Sequence, residues 1–150
     1  MKKETMKLLE SIQQNLKESK DLENEIYERV KKEVDELTII ELIKQFCKSF
    51  KDSFYDMSYS EILDTLINNG KGNCIKLDEL KKLLVSLTNN EEIYNMNIDD
   101  IEDEFQDYCE DEDFTLNRMI KLLYKNNCID ETAFRYLLAF SIANDEINDM

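Results

Sequence analysis

Carboxylates are the groups this chain offers most freely for chemistry. Residues 83–117 hold twelve of them and no Lys or Arg: Glu91, Glu92, Asp99, Asp100, Glu102, Asp103, Glu104, Asp107, Glu110, Asp111, Glu112 and Asp113. Paired carboxylates run general acid–base chemistry, hydrolyse glycosides or hold divalent metal, but each task needs a cleft with tuned pKa values or a fixed ligand set. Here the acids stand at consecutive positions, which spreads them over one polar helix face as a solvated surface. Thiols are the other candidate nucleophiles. Cys47, Cys74, Cys109 and Cys128 lie 27, 35 and 19 residues apart, a spacing that matches no metal or redox motif. With no histidine in the chain, no Cys-His pair, Ser-His-Asp triad or imidazole ligand can be built. The two glycines, Gly70 and Gly72, share one turn and leave no phosphate-cradling loop. The expectation is a protein that is not an enzyme, with no catalytic residue, bound metal or cofactor, and with reduced cysteines packed as small hydrophobes in a cytoplasmic protein.

The elements that carry these residues read as helices throughout. There is no proline in 150 residues, and apolar residues recur at three- and four-residue steps. Leu9, Ile12, Leu16, Leu22, Ile26, Val30, Val34 and Leu37 form a thin stripe among charges, as one long helix or as two broken near Lys20-Asp21. Thr38 with Glu41, and Ser58 with Glu61, are capping boxes that satisfy backbone N–H groups at helix starts. The first opens the most apolar helix, with Ile39, Ile40, Leu42, Ile43, Phe46, Cys47, Phe50 and Phe54 over a wide face. Asn68-Asn69-Gly70-Lys71-Gly72-Asn73 is the clearest turn. Asn97 with Asp100, and Asp130 ahead of Phe134, open later helices. Asn73-Cys74-Ile75 and Asn127-Cys128-Ile129 repeat an Asn-Cys-Ile step just before a helix start. The fold expected is all-α, a single-domain helical bundle of about seven or eight helices built largely from αα-hairpins. Residues 1–37 form an amphipathic N-terminal segment and residues 38–150 an acidic core domain. No apolar run is long enough for a membrane span, and the start lacks the apolar block of a secretory signal.

Charge is divided unevenly along the chain. Residues 1–51 carry 11 basic and 11 acidic side chains, whereas residues 52–150 carry 8 basic and 23 acidic and so hold the whole net charge of −15. A field of one sign attracts a partner of the other and repels phosphate. The expected function is therefore that of a non-enzymatic acidic binding protein, which regulates or inhibits a protein with a basic surface and does not itself bind nucleic acid or membrane. One form is an anti-defence inhibitor whose carboxylates stand in for phosphates in a nucleic-acid channel. The residues expected to make that surface are Asp99, Asp100, Glu102, Asp103, Glu104, Asp107, Glu110, Asp111, Glu112 and Asp113.

Residues 59–124 also resemble a pair of degenerate EF-hands of the calmodulin and myosin-light-chain family. Ile75, Glu79 and Leu80 fall like the central apolar residue, the last ligand and the following helix residue of one hand. Phe105 to Ile120 resembles a second hand around Phe114. The resemblance implies a light-chain-like module that grips an amphipathic helix. In that register Gly70 and Gly72 occupy ligand positions without a side-chain oxygen, and Arg118 stands in place of a bidentate Glu. Calcium needs six to eight oxygens, so these hands are expected to be calcium-free.

Overall fold

Helix starts coincide with the capping residues. The computed structural model describes residues 2–68 and 73–149, and within them the chain forms seven α-helices and one 3-10 helix. They are α1 (Lys2–Asp35), α2 (Ile39–Phe50), α3 (Tyr59–Ile67), α4 (Leu77–Thr88), the 3-10 helix Glu91–Asn95, α5 (Ile98–Glu112), α6 (Leu116–Lys125) and α7 (Glu131–Asn148). Thr38 Oγ1 caps α2 by accepting from the Glu41 N–H, and its hydroxyl donates to the Glu41 carboxylate at 2.8 Å. Ser58, Asn97 and Asp130 cap α3, α5 and α7 by accepting from the backbone N–H three residues on. Thr115, whose role the sequence did not advertise, caps α6 by accepting from the Arg118 N–H. No helix among the described residues is long and apolar enough to cross a membrane.

The core grows from α2, whose Leu42, Ile43 and Phe46 are buried against α6 and α7. Phe46 stacks on Phe134 of α7 at 4.3 Å between ring centroids and on Phe50 at 4.5 Å, and Phe50 continues the stack to Phe54. Ile39 and Ile40 depart from the wide apolar face expected of this helix and stay exposed, because they lie in its first turn before it meets its neighbours. Leu63, Leu66, Leu80, Leu84, Ile101, Phe105, Met119, Ile120 and Leu123 complete an apolar cluster that is continuous across α3 to α6.

The repeated Asn-Cys-Ile steps meet. Ile75 and Ile129 form an isolated antiparallel bridge, with the Lys76 N–H donating to Cys128 O at 2.7 Å and the Asp130 N–H to Cys74 O at 2.8 Å. This joins the connection between α3 and α4 to the one between α6 and α7. Most of the turn expected at Asn68–Asn73, residues 69–72, lies outside the described residues. The second hand around Phe114 is not formed. Asp113, at φ 51°, stops α5 with a left-handed cap, Thr115 starts α6 at once, and the three residues between leave no ligand loop. The partner of Ile75 is Ile129, not Phe114.

α1 is one unbroken helix of 34 residues. Its second half packs on α7 through Ile26, Val30 and Val34. Tyr27 donates to Asn144 Oδ1, Arg29 pairs with Glu146, and Arg135 Nη1 donates to Val34 O at 2.7 Å and to Leu37 O at 3.0 Å. From Lys3 to Leu22 every residue is exposed, including Leu9, Ile12 and Leu16 of the stripe.

Candidate functional site: an acidic helix face

α5 positions the acids. Ile101, Phe105 and Cys109 recur at four-residue steps and are fully buried, which docks the helix on α3 and α4 and turns its opposite side to water. On that side Asp99, Asp103, Asp107 and Glu110 form one row, and Asp100, Glu104, Asp107 and Asp111 a second, at steps of three and four residues. Asp99, Asp100, Asp103, Asp107, Glu110, Asp111, Glu112 and Asp113 are exposed and Glu104 is half-buried. Among the described residues none of them has a salt-bridge partner. Glu110 accepts a hydrogen bond from Gln106, one turn back on the same helix.

Glu102 does not belong to this surface. It is only 9% exposed and lies in the α3–α5 interface beside Asp64. Its Oε1 is buried without a hydrogen-bond partner. Burial, a hydrogen bond with Asp64 and the charges of Asp64, Asp99 and Asp103 push its pKa up to about 7. The sequence holds the signal for this placement, since Glu102 stands three residues before Phe105 and seven before Cys109, on the buried stripe.

Beyond the C-terminal end of the acidic rows lies an open groove of about 470 Å³, lined mainly by Phe54, Tyr55, Met57, Tyr59, Ile62 and Phe114, with Glu110 at its edge. Two long-range hydrogen bonds hold its walls together. The Tyr59 hydroxyl donates to Phe114 O at 2.7 Å, and the Ser60 N–H donates to Gln106 Oε1 at 2.7 Å. Tyr55 stands 81% exposed. Helical spacing alone does not reveal this groove, because it does not tell a wall from an interior.

Among the described residues no three Cys, Asp or Glu side chains are grouped so as to hold a metal ion. No disulfide joins the cysteines among the described residues; Cys74, Cys109 and Cys128 are buried and Cys47 is half-buried. Burial pushes the Cys109 thiol up to about 12; burial and the charge of Glu79 push Cys128 up to about 11. Thiols held protonated in this way are poor nucleophiles. No protein-family model, curated protein or solved structure matches the chain.

Proposed function

We propose that the protein is a non-enzymatic acidic binding protein that regulates or inhibits a protein partner bearing a basic surface. One observation carries this reading: eight exposed carboxylates on and just after α5 have no counter-charge within the described chain. Like charges at i,i+4 each cost a helix about 0.2–0.5 kcal/mol. Those at the C-terminal end also face the negative pole of the helix dipole. Lys or Arg side chains from a partner relieve both penalties and are steered in by the field. The neighbouring groove offers an apolar anchor of the kind that dominates binding energy in interfaces. In the most concrete form the two carboxylate rows replace phosphates inside a nucleic-acid channel, so the protein blocks nucleic acid without binding it. Reduced, buried thiols suit a cytoplasmic setting.

The test is capture of partners from native lysate, followed by affinity measurements of the purified pair at low and physiological salt. Exposed charges are screened within about 8 Å at physiological ionic strength, so affinity should fall steeply between the two conditions. The triple reversal Asp99→Lys, Asp103→Lys and Asp107→Lys should slow association by about tenfold or more with little change in dissociation. Unchanged binding by that variant returns the acids to a solubility role.

A second reading follows from the Ile75–Ile129 bridge, which joins two helix–connection–helix units through their connections. That pairing supports a light-chain-like module whose partner is an amphipathic helix seated in an apolar groove. Binding that is insensitive to salt and to the triple reversal, yet lost on filling the groove, favours this reading over the first.

A further inference from the structure

A basic face survives on a chain whose net charge is −15. Lys44, Lys48 and Lys51 repeat at steps of four and three residues along α2 and its C-cap, and Arg118, Lys121 and Lys125 at steps of three and four along α6. All six are exposed, and among the described residues none has an ion-pair partner. Residues 42–51 and 114–129 contain no Asp or Glu. The two rows belong to one surface. Asn117 Nδ2 of α6 donates to Cys47 Sγ of α2 at 3.9 Å, and the charge of Lys121 acts on the same thiol. Lys44 and Lys51 stand one turn to either side of Cys47. Lys51 also lines the aromatic groove together with Phe114 and Leu116 at the start of α6, so α2 and α6 run antiparallel. Among Arg118, Lys121 and Lys125 the surface dips into an open depression of about 290 Å³ lined by Phe114 and Leu122. The Arg118 guanidinium lies 4.6 Å from the centroid of the Phe114 ring, which fixes it beside that depression.

We infer that this face docks a short acidic segment of a partner protein, with carboxylates on the two cation rows and one apolar side chain seated against Phe114 and Leu122. Charge complementarity sets the sign of the occupant, since six like charges on adjacent helices have no counter-charge in their own chain. The extent of the patch sets its class. Each row spans about 10 Å of helix, two turns. Beyond it stand the exposed acids Glu110, Asp111, Glu112 and Asp113, which immediately precede Phe114. A nucleic acid carries negative charge without a break along its length, so it would run off the patch onto those acids. A segment of about two helical turns ends where the patch ends. The depression adds a second selection. It has room for one large apolar side chain, given that a cavity of about 150 Å³ already holds benzene. The acidic rows belong to α5, which packs on α3 and α4, whereas α2 and α6 pack on each other. This is a second surface of opposite sign, and the inference stands whether or not α5 binds a basic partner.

Fluorescence anisotropy of the full chain with a labelled peptide of about twelve residues, carrying Glu at steps of three and four around a central Leu, tests this. Saturable binding with Kd from about ten to several hundred micromolar is expected, because the net charge of the chain opposes approach and the contacts must offset it. Lys44→Glu with Lys121→Glu should weaken binding by about tenfold or more. Lys31→Glu with Lys32→Glu, on the exposed side of α1, changes the net charge equally and should leave the affinity within about twofold. The milder pair Lys44→Gln with Lys121→Gln should cost about threefold and stands in if the reversal fails to fold. Replacing the central Leu of the peptide by Ser should also weaken binding by about tenfold, as expected for one lost apolar anchor. No saturable binding overturns the inference, as do equal effects of the α1 pair and the Lys44 and Lys121 pair, or indifference to the central Leu. A single-stranded oligonucleotide of similar length that binds more tightly than the peptide, and loses that affinity in the Lys44 and Lys121 variant, assigns the face to nucleic acid instead.

Discussion

Replacing Arg135 with Met tests what holds α1 to the rest of the protein. Met keeps most of the aliphatic stem but removes every donor. In the native chain Nη1 gives hydrogen bonds of 2.7 Å and 3.0 Å to Val34 O, in the last turn of α1, which also accepts from the Leu37 N–H, and to Leu37 O just past the helix end. The side chain is 15% exposed, so water replaces those bonds poorly, whereas its ion pair with Glu131 at 3.5 Å involves a carboxylate that is 46% exposed. Hydrogen bonds from a charged donor contribute about 1.5–3 kcal/mol each, but two that share one nitrogen do not add fully. The exposed ion pair contributes at most about 1 kcal/mol. The expected loss for Arg135→Met is about 2–4 kcal/mol, and for Glu131→Gln under about 1 kcal/mol. At about 2–4 °C per kcal/mol for a chain of this size, the first lowers Tm by roughly 4–16 °C. Urea unfolding followed at 222 nm measures both variants. Because the lost bonds tie α1 to α7, Arg135→Met should also release α1 ahead of the rest, as a shallow early phase in the helical signal. A loss below about 0.5 kcal/mol, or equal losses for the two variants, would refute the view that this guanidinium caps α1.

Two further predictions concern protons and metal. The folded-state pKa of Glu102, about 7, lies above its ordinary value of 4.5, so between those values the unfolded chain gives up a proton that the folded one keeps. Stability therefore falls as pH rises from about 4.5 to 7, and Glu102→Gln should remove that fall. The variant gains on the order of 1–2 kcal/mol above pH 7, with solvent screening trimming the full linkage value, and little at pH 4; chemical unfolding that shows the same difference at both pH values contradicts it. Calcium titration by calorimetry should show no stoichiometric micromolar site, and Glu79→Gln should leave the heats unchanged. Gly70 and Gly72 supply no side-chain oxygens, and a three-residue turn stands where a second loop would be.

What was legible in the sequence is what depends on neighbours a few residues away. The caps at Thr38, Ser58, Asn97 and Asp130 are local hydrogen bonds, and each formed where its spacing placed it. Helix type followed from period and from the absence of proline. Pairings between distant segments were less legible. The two Asn-Cys-Ile steps are a visible repeat, but nothing in either says that they meet, and similarity of spacing pointed to Phe114 in place of Ile129. Asp113 decides that case by adopting a left-handed conformation, open to several residue types and invisible to periodicity. Among the acids, nine of the ten expected surface residues have at least partial access to solvent, while Glu102 is taken inward by the apolar stripe it shares with Phe105 and Cys109. The run of acids masked that stripe.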